Sequence, residues 1–118
     1  MSLHRYGCVY PGTGGASSEN CLNYPFAYAV GDLKYLKTLG TALREVEKFD
    51  PDLVAVSAGF DAHRSDPVCS LGLSEEAYSA IGRMIADLNR ETFAVLEGGY
   101  GRDFPKCILN FLKGLEKK

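Results

Sequence analysis

Two turns in this chain carry side chains able to do chemistry together. Ser57-Ala58-Gly59-Phe60-Asp61-Ala62-His63-Arg64-Ser65-Asp66-Pro67 follows the apolar run Leu53-Val54-Ala55-Val56, and Glu97-Gly98-Gly99-Tyr100 follows a second run, Phe93-Ala94-Val95-Leu96. Each turn places one capable group just beyond its run. Asp61 offers hard carboxylate oxygens to a metal, and Tyr100 offers a hydroxyl to a developing oxyanion. If both runs are strands of one sheet, the two groups share a rim and hydrolysis is the chemistry they suggest. Other readings stay open: an Asp after a strand often accepts backbone N–H bonds in a turn, and a Tyr beside two glycines can be an ordinary surface residue.

The elements that must position these groups follow from periodicity. Leu53–Val56 and Phe93–Leu96 are apolar without alternation, which predicts parallel strands covered on both faces. A further strand is expected at 21–25. Between the strands, Leu33, Leu36, Leu39, Leu43 and Val46 recur at three- and four-residue steps, predicting a helix that Asp32 caps and Asp50-Pro51 stops. Ser74, followed by Glu75 and Glu76, predicts the start of a second helix with Ala77, Ile81, Met84 (or Ile85) and Leu88 inward and Asn89 closing it. Asp103 and Pro105 open a third, with Ile108, Leu112 and Leu115 on its inner face. Alternating strands and helices imply right-handed parallel crossovers in one sheet. The expected fold is therefore α/β, a three-layer open parallel sheet with helices on both faces, formed by residues 1–118 as a single domain. Ligands of such sheets bind beyond the carboxyl ends of the strands, where Asp61 and Tyr100 fall.

Composition narrows the function classes. The hydrophobic share of 46% and charged share of 24% are those of an ordinary globular protein. A net charge of −2 gives no basic footprint for nucleic acid and no polybasic membrane patch. No apolar run is of spanning length and Met1-Ser2-Leu3-His4-Arg5 lacks the apolar core of a signal peptide, so a cytoplasmic location is expected. Cys8, Cys21, Cys69 and Cys107 form no Cys-x-x-Cys pair and read as free thiols.

Several stretches, taken in order, resemble the zinc-dependent deacetylases that include histone deacetylases and acetylpolyamine amidohydrolases. Ser2-Leu3-His4-Arg5 with Tyr10-Pro11-Gly12-Thr13-Gly14 is similar to that family's Ser-Leu-His-Lys/Arg strand end and aromatic-Pro-Gly-Thr-Gly loop. Asn23-Tyr24-Pro25-Phe26 resembles its Asn-Val-Pro-Leu strand, and 51–67 resembles the metal-ligand loop of its bacterial and class II members. The resemblance implies zinc as cofactor with Asp61 as a metal ligand, and Tyr100 as the catalytic oxyanion donor. It also implies Ser2 and Leu3 as part of a monovalent-cation site, and Tyr10 and Gly98 as the wall and mouth of an acyl-lysine tunnel. In the family, an Asp-x-His segment with two zinc ligands and a His-His pair precede the Ser-Leu-His motif. This chain resembles the C-terminal part of that domain.

His4 and His63 are the only histidines. His63 is expected to be a solvated loop residue, with an improvised ligand role beside Asp61 as the alternative. Asp66-Pro67-Val68-Cys69 departs from the family's Asp-Pro-Leu-Gly. The family reaction is hydrolysis of acetyl-lysine or acetylpolyamine amides, and the isolated chain is expected to be inactive for want of two ligands and the His-His pair. A non-catalytic interaction or assembly module is the alternative, and an anion cradle at Pro11–Gly15 or Gly98–Gly101 a weaker one. Homo-oligomerisation is expected from an exposed sheet edge. An acetylated amine is a partner only if an N-terminal segment completes the site; nucleic acid and membrane are not expected partners.

Overall fold

Helix and strand chemistry sort the chain as its periodicity predicts, with instructive differences at the caps. The computed structural model describes residues 1–116. Strands β1 (Ser2–Arg5) and β2 (Asn23–Phe26) lead into helix α1 (Gly31–Phe49). Strand β3 (Leu53–Ala58), helix α2 (Glu75–Ala86), strand β4 (Glu91–Leu96) and helix α3 (Phe104–Leu115) complete the order.

Ser74 caps α2 as expected, its hydroxyl accepting from the Ala77 N–H at 3.3 Å. Asp32 does not cap α1, whose N-cap is Val30. Its carboxylate instead accepts from the Ser74 N–H at 2.8 Å and the Ser74 hydroxyl at 2.5 Å, fastening the start of α1 to the start of α2. Leu33 and Leu112, both expected to face inward, are exposed. On α1 the buried face is Leu39, Ala42 and Leu43, and on α3 it is Cys107, Phe111 and Gly114. The α3 face rotates because α2 and α3 cross backbone to backbone: a Cβ on Gly82 would lie 2.3 Å from the Phe111 carbonyl oxygen, and one on Gly114 would lie 2.2 Å from that of Ser79.

The core joins Phe26 of β2, Ala58 and Phe60 at the end of β3, Leu71 and Leu73 of the following loop, Ala77, Tyr78 and Ile85 of α2, and Cys107 and Phe111 of α3. Phe60 is its hub, its ring centroid lying 5.2 Å from that of Tyr78 and 5.7 Å from that of Phe111. Burial pushes the Cys107 thiol up to about 11, which leaves it an inert core residue.

The strands pair in parallel, β1 with β2 and β3 with β4. Among the described residues they do so as two two-stranded sheets. Residues of β1 and of β3 both line one cavity. Burial of β3 and β4 on both faces is corrected as well. Val56 and Ala58 pack into the core, whereas Leu53, Phe93 and Val95 on the other face are exposed. No described helix is long and apolar enough to cross a membrane.

Candidate functional site

Asp61 stands three residues beyond β3 and Gly98 two beyond β4, so the parallel register brings both to one rim. The turn is locked by two backbone bonds, Glu97 N–H to the Ala58 carbonyl at 3.0 Å and Phe60 N–H to the Gly98 carbonyl at 2.7 Å. Asp61 lies between glycines. A Cβ on Gly59 would sit 3.1 Å from Asp61 Oδ1, and a Cβ on Gly98 would sit 3.1 Å from Oδ2 and 3.3 Å from the Tyr100 hydroxyl. Carboxylate and phenol therefore converge on one point beside Gly98, and any larger residue there would intrude between them. Burial pushes the Asp61 carboxyl above its ordinary value; its own backbone N–H opposes that shift and the nearby Asp66 adds to it. A carboxylate desolvated in this way is one whose charged form a neighbouring cation would favour.

These groups border a cavity of about 660 Å³ whose walls include Ser2, Leu3, Tyr10, Asp61 and Gly98. Five of the six residues singled out from sequence thus face one space, and the sixth, Tyr100, reaches its edge through the contact at Gly98. Tyr10 is 95% exposed and forms an outer lip. The Ser2 hydroxyl is taken up by His4 Nδ1 at 2.9 Å, while His4 Nε2 bonds the Gly14 carbonyl at 2.9 Å.

Three supports were not visible as functional in the sequence. Asp66 is buried and accepts from the N–H groups of Val68 (2.8 Å), Cys69 (3.0 Å) and Tyr100 (2.9 Å), tying the Asp61 loop to the Tyr100 turn. Its only sequence signal is its place directly before Pro67, a step that favours turns. Arg5 donates to the carbonyls of Cys69 and Ser70, fixing the same loop to the end of β1. His63 is buried, not solvated. Its ring lies 2.8 Å from the Ser65 hydroxyl and 3.1 Å from Glu75 Oε2, so it pins the loop to the first turn of α2 because both ring nitrogens find partners there. It offers nothing to a metal at Asp61. Cys69 is half-buried, and burial followed by the Asp61 charge raises its thiol pKa, so it is not an activated nucleophile.

The profile of the histone deacetylase domain matches residues 1–115. The chain belongs to the histone deacetylase family. It is 43% identical over 88 residues to a probable deacetylase of Methanothermobacter thermautotrophicus, covering 73% of this chain and 27% of that protein. To histone deacetylase clr3 of Schizosaccharomyces pombe it is 38% identical over 117 residues, covering 87% of this chain and 17% of that protein. Among solved structures, the acetylpolyamine aminohydrolase of Burkholderia pseudomallei superposes with a TM-score of 0.83 at 26% identity, over 95% of this chain and 36% of that one. The α/β deacetylase-type fold expected from sequence is the fold of these proteins. The chain spans well under half the length of each.

The family is metal-dependent, and the residues present can be tested against a zinc ion. A catalytic zinc takes three protein ligands and keeps an open position. Among the described residues no group of three His, Cys, Asp or Glu side chains is placed to hold a metal ion. Asp61 offers one ligand of the right kind, and residues 1–116 alone do not fit the ion.

Proposed function

We propose that these residues are the C-terminal part of a hydrolase domain that cleaves N-acetyl amides of acetyl-lysine or of acetylated polyamines. The observation that carries this reading is the convergence of the Asp61 carboxylate and the Tyr100 hydroxyl beside Gly98 at the rim of the 660 Å³ cavity. In this reading Asp61 contributes one ligand to a zinc whose other ligands lie outside the chain. Tyr100 donates its hydroxyl hydrogen to the amide oxygen as charge develops there. Tyr10 and Gly98 shape the entrance along which an acylated amine would lie, with glycine at 98 leaving room for the carbonyl to approach both groups. Asp66 and Arg5 hold the Asp61 loop and the Tyr100 turn in mutual position. The names of the relatives span histone and polyamine deacetylases, and both substrate classes present the same N-acetyl amide.

By itself the chain is inactive in this account, because one ligand does not assemble a catalytic zinc site. The test is acetate release from an acetyl-lysine peptide and from an N-acetylated diamine, with zinc supplied. The 118-residue chain should release none above background. The same chain continued at its N-terminus by the corresponding segment of a family member should turn over at least one of the two. A second reading, an assembly module without catalysis, is favoured by the exposed apolar face of Leu53, Phe93 and Val95. Failure of the extended polypeptide to hydrolyse either substrate would support it.

A further inference from the structure

Tyr100 can serve the proposed reaction only while its hydroxyl stands beside Gly98, and its own ring does little to keep it there. The residue is 61% exposed, so packing does not set its direction. Its place is decided by the main chain of residues 98–101, where Gly98 and Gly99 precede it and Gly101 follows. Glycine leaves a main chain freer than any other residue does. Each step of the turn must therefore be held from outside it.

The holds differ in kind. Gly99, with φ +152°, lies against two phenylalanines: a Cβ there would collide with the Phe104 ring and lie 3.1 Å from Phe60 Cβ. The Tyr100 N–H donates to Asp66 Oδ2 at 2.9 Å. Gly101 lies against Ser65, where a Cβ would sit 3.1 Å from Oγ and 3.3 Å from the carbonyl oxygen. Phe60 and Asp66 are buried and fixed by their surroundings. Ser65 is exposed and needs a support of its own.

His63 is that support. It is 3% exposed, and its Nδ1 lies 2.8 Å from the Ser65 hydroxyl and 3.2 Å from the Ser65 main-chain nitrogen. Its Nε2 lies 3.1 Å from Glu75 Oε2. A carboxylate only accepts, so Nε2 carries the ring hydrogen and Nδ1 is left to accept from both Ser65 donors. The ring is thus oriented from α2, whose first turn holds Glu75. The loop is fastened at the same place by the Arg64 N–H, which donates to the Leu73 carbonyl at 2.8 Å. One line of contacts runs from α2 through His63 and Ser65 to Gly101, the residue after Tyr100.

We propose that His63 is a positioning residue for Tyr100, acting through Ser65 and Gly101 to set where the phenol hydroxyl stands relative to Asp61. The catalytic consequence of this role rests on the hydrolase reading; the geometric one does not. Asp66 fixes the main chain at Tyr100 and His63 fixes it at the next residue, so the turn keeps one course. Without the His63 acceptor, Ser65 is free to leave Gly101 and the hydroxyl spreads over positions that do not face the amide oxygen. A hydroxyl used only as charge develops affects kcat and leaves KM unchanged.

Amide hydrogen exchange in the 118-residue chain tests the geometry. It is read at Tyr100 and at Phe104, whose N–H donates to the Gly101 carbonyl at 3.2 Å, with Cys107 and Phe111 reporting global opening. His63→Leu should speed exchange at Tyr100 and Phe104 by about five-fold, the worth of one hydrogen bond, and leave Cys107 and Phe111 unchanged. Ser65→Ala, a surface change that spares the fold, should do the same. His63→Asn returns an oxygen acceptor near the place of Nδ1 and should restore most of the parent protection. In the chain continued at its N-terminus by a family segment, His63→Leu should lower kcat by about ten-fold at unchanged KM. Tyr100→Phe should then cost about ten-fold less in the His63→Leu background than in the parent, because the two act on one step. Exchange at Tyr100 and Phe104 that stays at the parent rate in both His63→Leu and Ser65→Ala, or a rise shared equally by Cys107 and Phe111, would overturn the proposal. So would a Tyr100→Phe loss of equal size in both backgrounds. An extended parent that hydrolyses neither substrate would sink the hydrolase reading, and exchange at Tyr100 and Phe104 would then decide the positioning role by itself.

Discussion

Asp66→Ala tests whether one buried carboxylate holds the candidate site together. Its oxygens accept three backbone N–H groups, two from its own loop at 2.8 and 3.0 Å and one from Tyr100 at 2.9 Å across 34 residues of sequence. A hydrogen bond to a charged acceptor contributes about 1.5–3 kcal/mol net, and a donor left unpaired costs most where water cannot reach it. Val68 and Tyr100 are 63% and 61% exposed, so water can reach their turns and recover part of the loss. The sum falls well below three full bonds, at about 3 kcal/mol. With a urea dependence of about 1.5 kcal/mol per molar, the unfolding midpoint should drop by about 2 M. Asp66→Asn keeps one oxygen acceptor and should fall between the two. Urea unfolding followed by circular dichroism measures the midpoints, and hydrogen exchange at the Tyr100 amide reports the local tether. A midpoint in Asp66→Ala within about 0.3 M of the parent would refute the reasoning.

Other expectations follow from the same geometry. Gly82→Ala puts a methyl group against the Phe111 carbonyl and should destabilise the chain by about 3 kcal/mol in the same assay, since backbone cannot yield as a side chain can. Glu75 is held below its ordinary pKa first by its own backbone N–H at the start of α2 and then by the side chain of His63. A lowered folded-state value stabilises above the unfolded pKa of about 4.3 and is lost as pH falls through the folded one. Glu75→Gln should therefore flatten the decline in stability below about pH 4.3, and a decline as steep as the parent's would count against it. Zinc should bind the isolated chain only weakly and through Asp61; in calorimetry, nanomolar affinity that survives Asp61→Ala would place the ligands elsewhere.

The number, order and type of the later elements were legible because each carries its own periodic apolar set and its own stop signal. Ser74 announced α2, and the two glycine-flanked turns announced the rim. What escaped depends on partners distant in sequence. Asp32 has the look of a helix cap, yet its carboxylate goes to Ser74, 42 residues away. Leu112 fits a helical stripe, yet the close crossing at Gly82 and Gly114 turns α3 and leaves it exposed. Glycines inside two helices were the overlooked sign of that crossing. His63 looked solvated because nothing within a few residues marked Glu75 as its partner. The Asp61, Gly98 and Tyr100 cluster was legible because the register of β3 and β4 makes their two following turns neighbours.

The most direct test of the account is the effect of Tyr100→Phe on zinc-dependent acetate release by the chain continued at its N-terminus with a family segment, assayed beside the 118-residue chain. Removing one oxyanion donor typically costs on the order of 100- to 1000-fold in turnover. The account predicts a loss of that size in the extended polypeptide, with the fold unchanged, and no turnover by the 118-residue chain in either form. A Tyr100→Phe polypeptide as fast as its parent, or robust zinc-dependent turnover by the 118-residue chain alone, would contradict it.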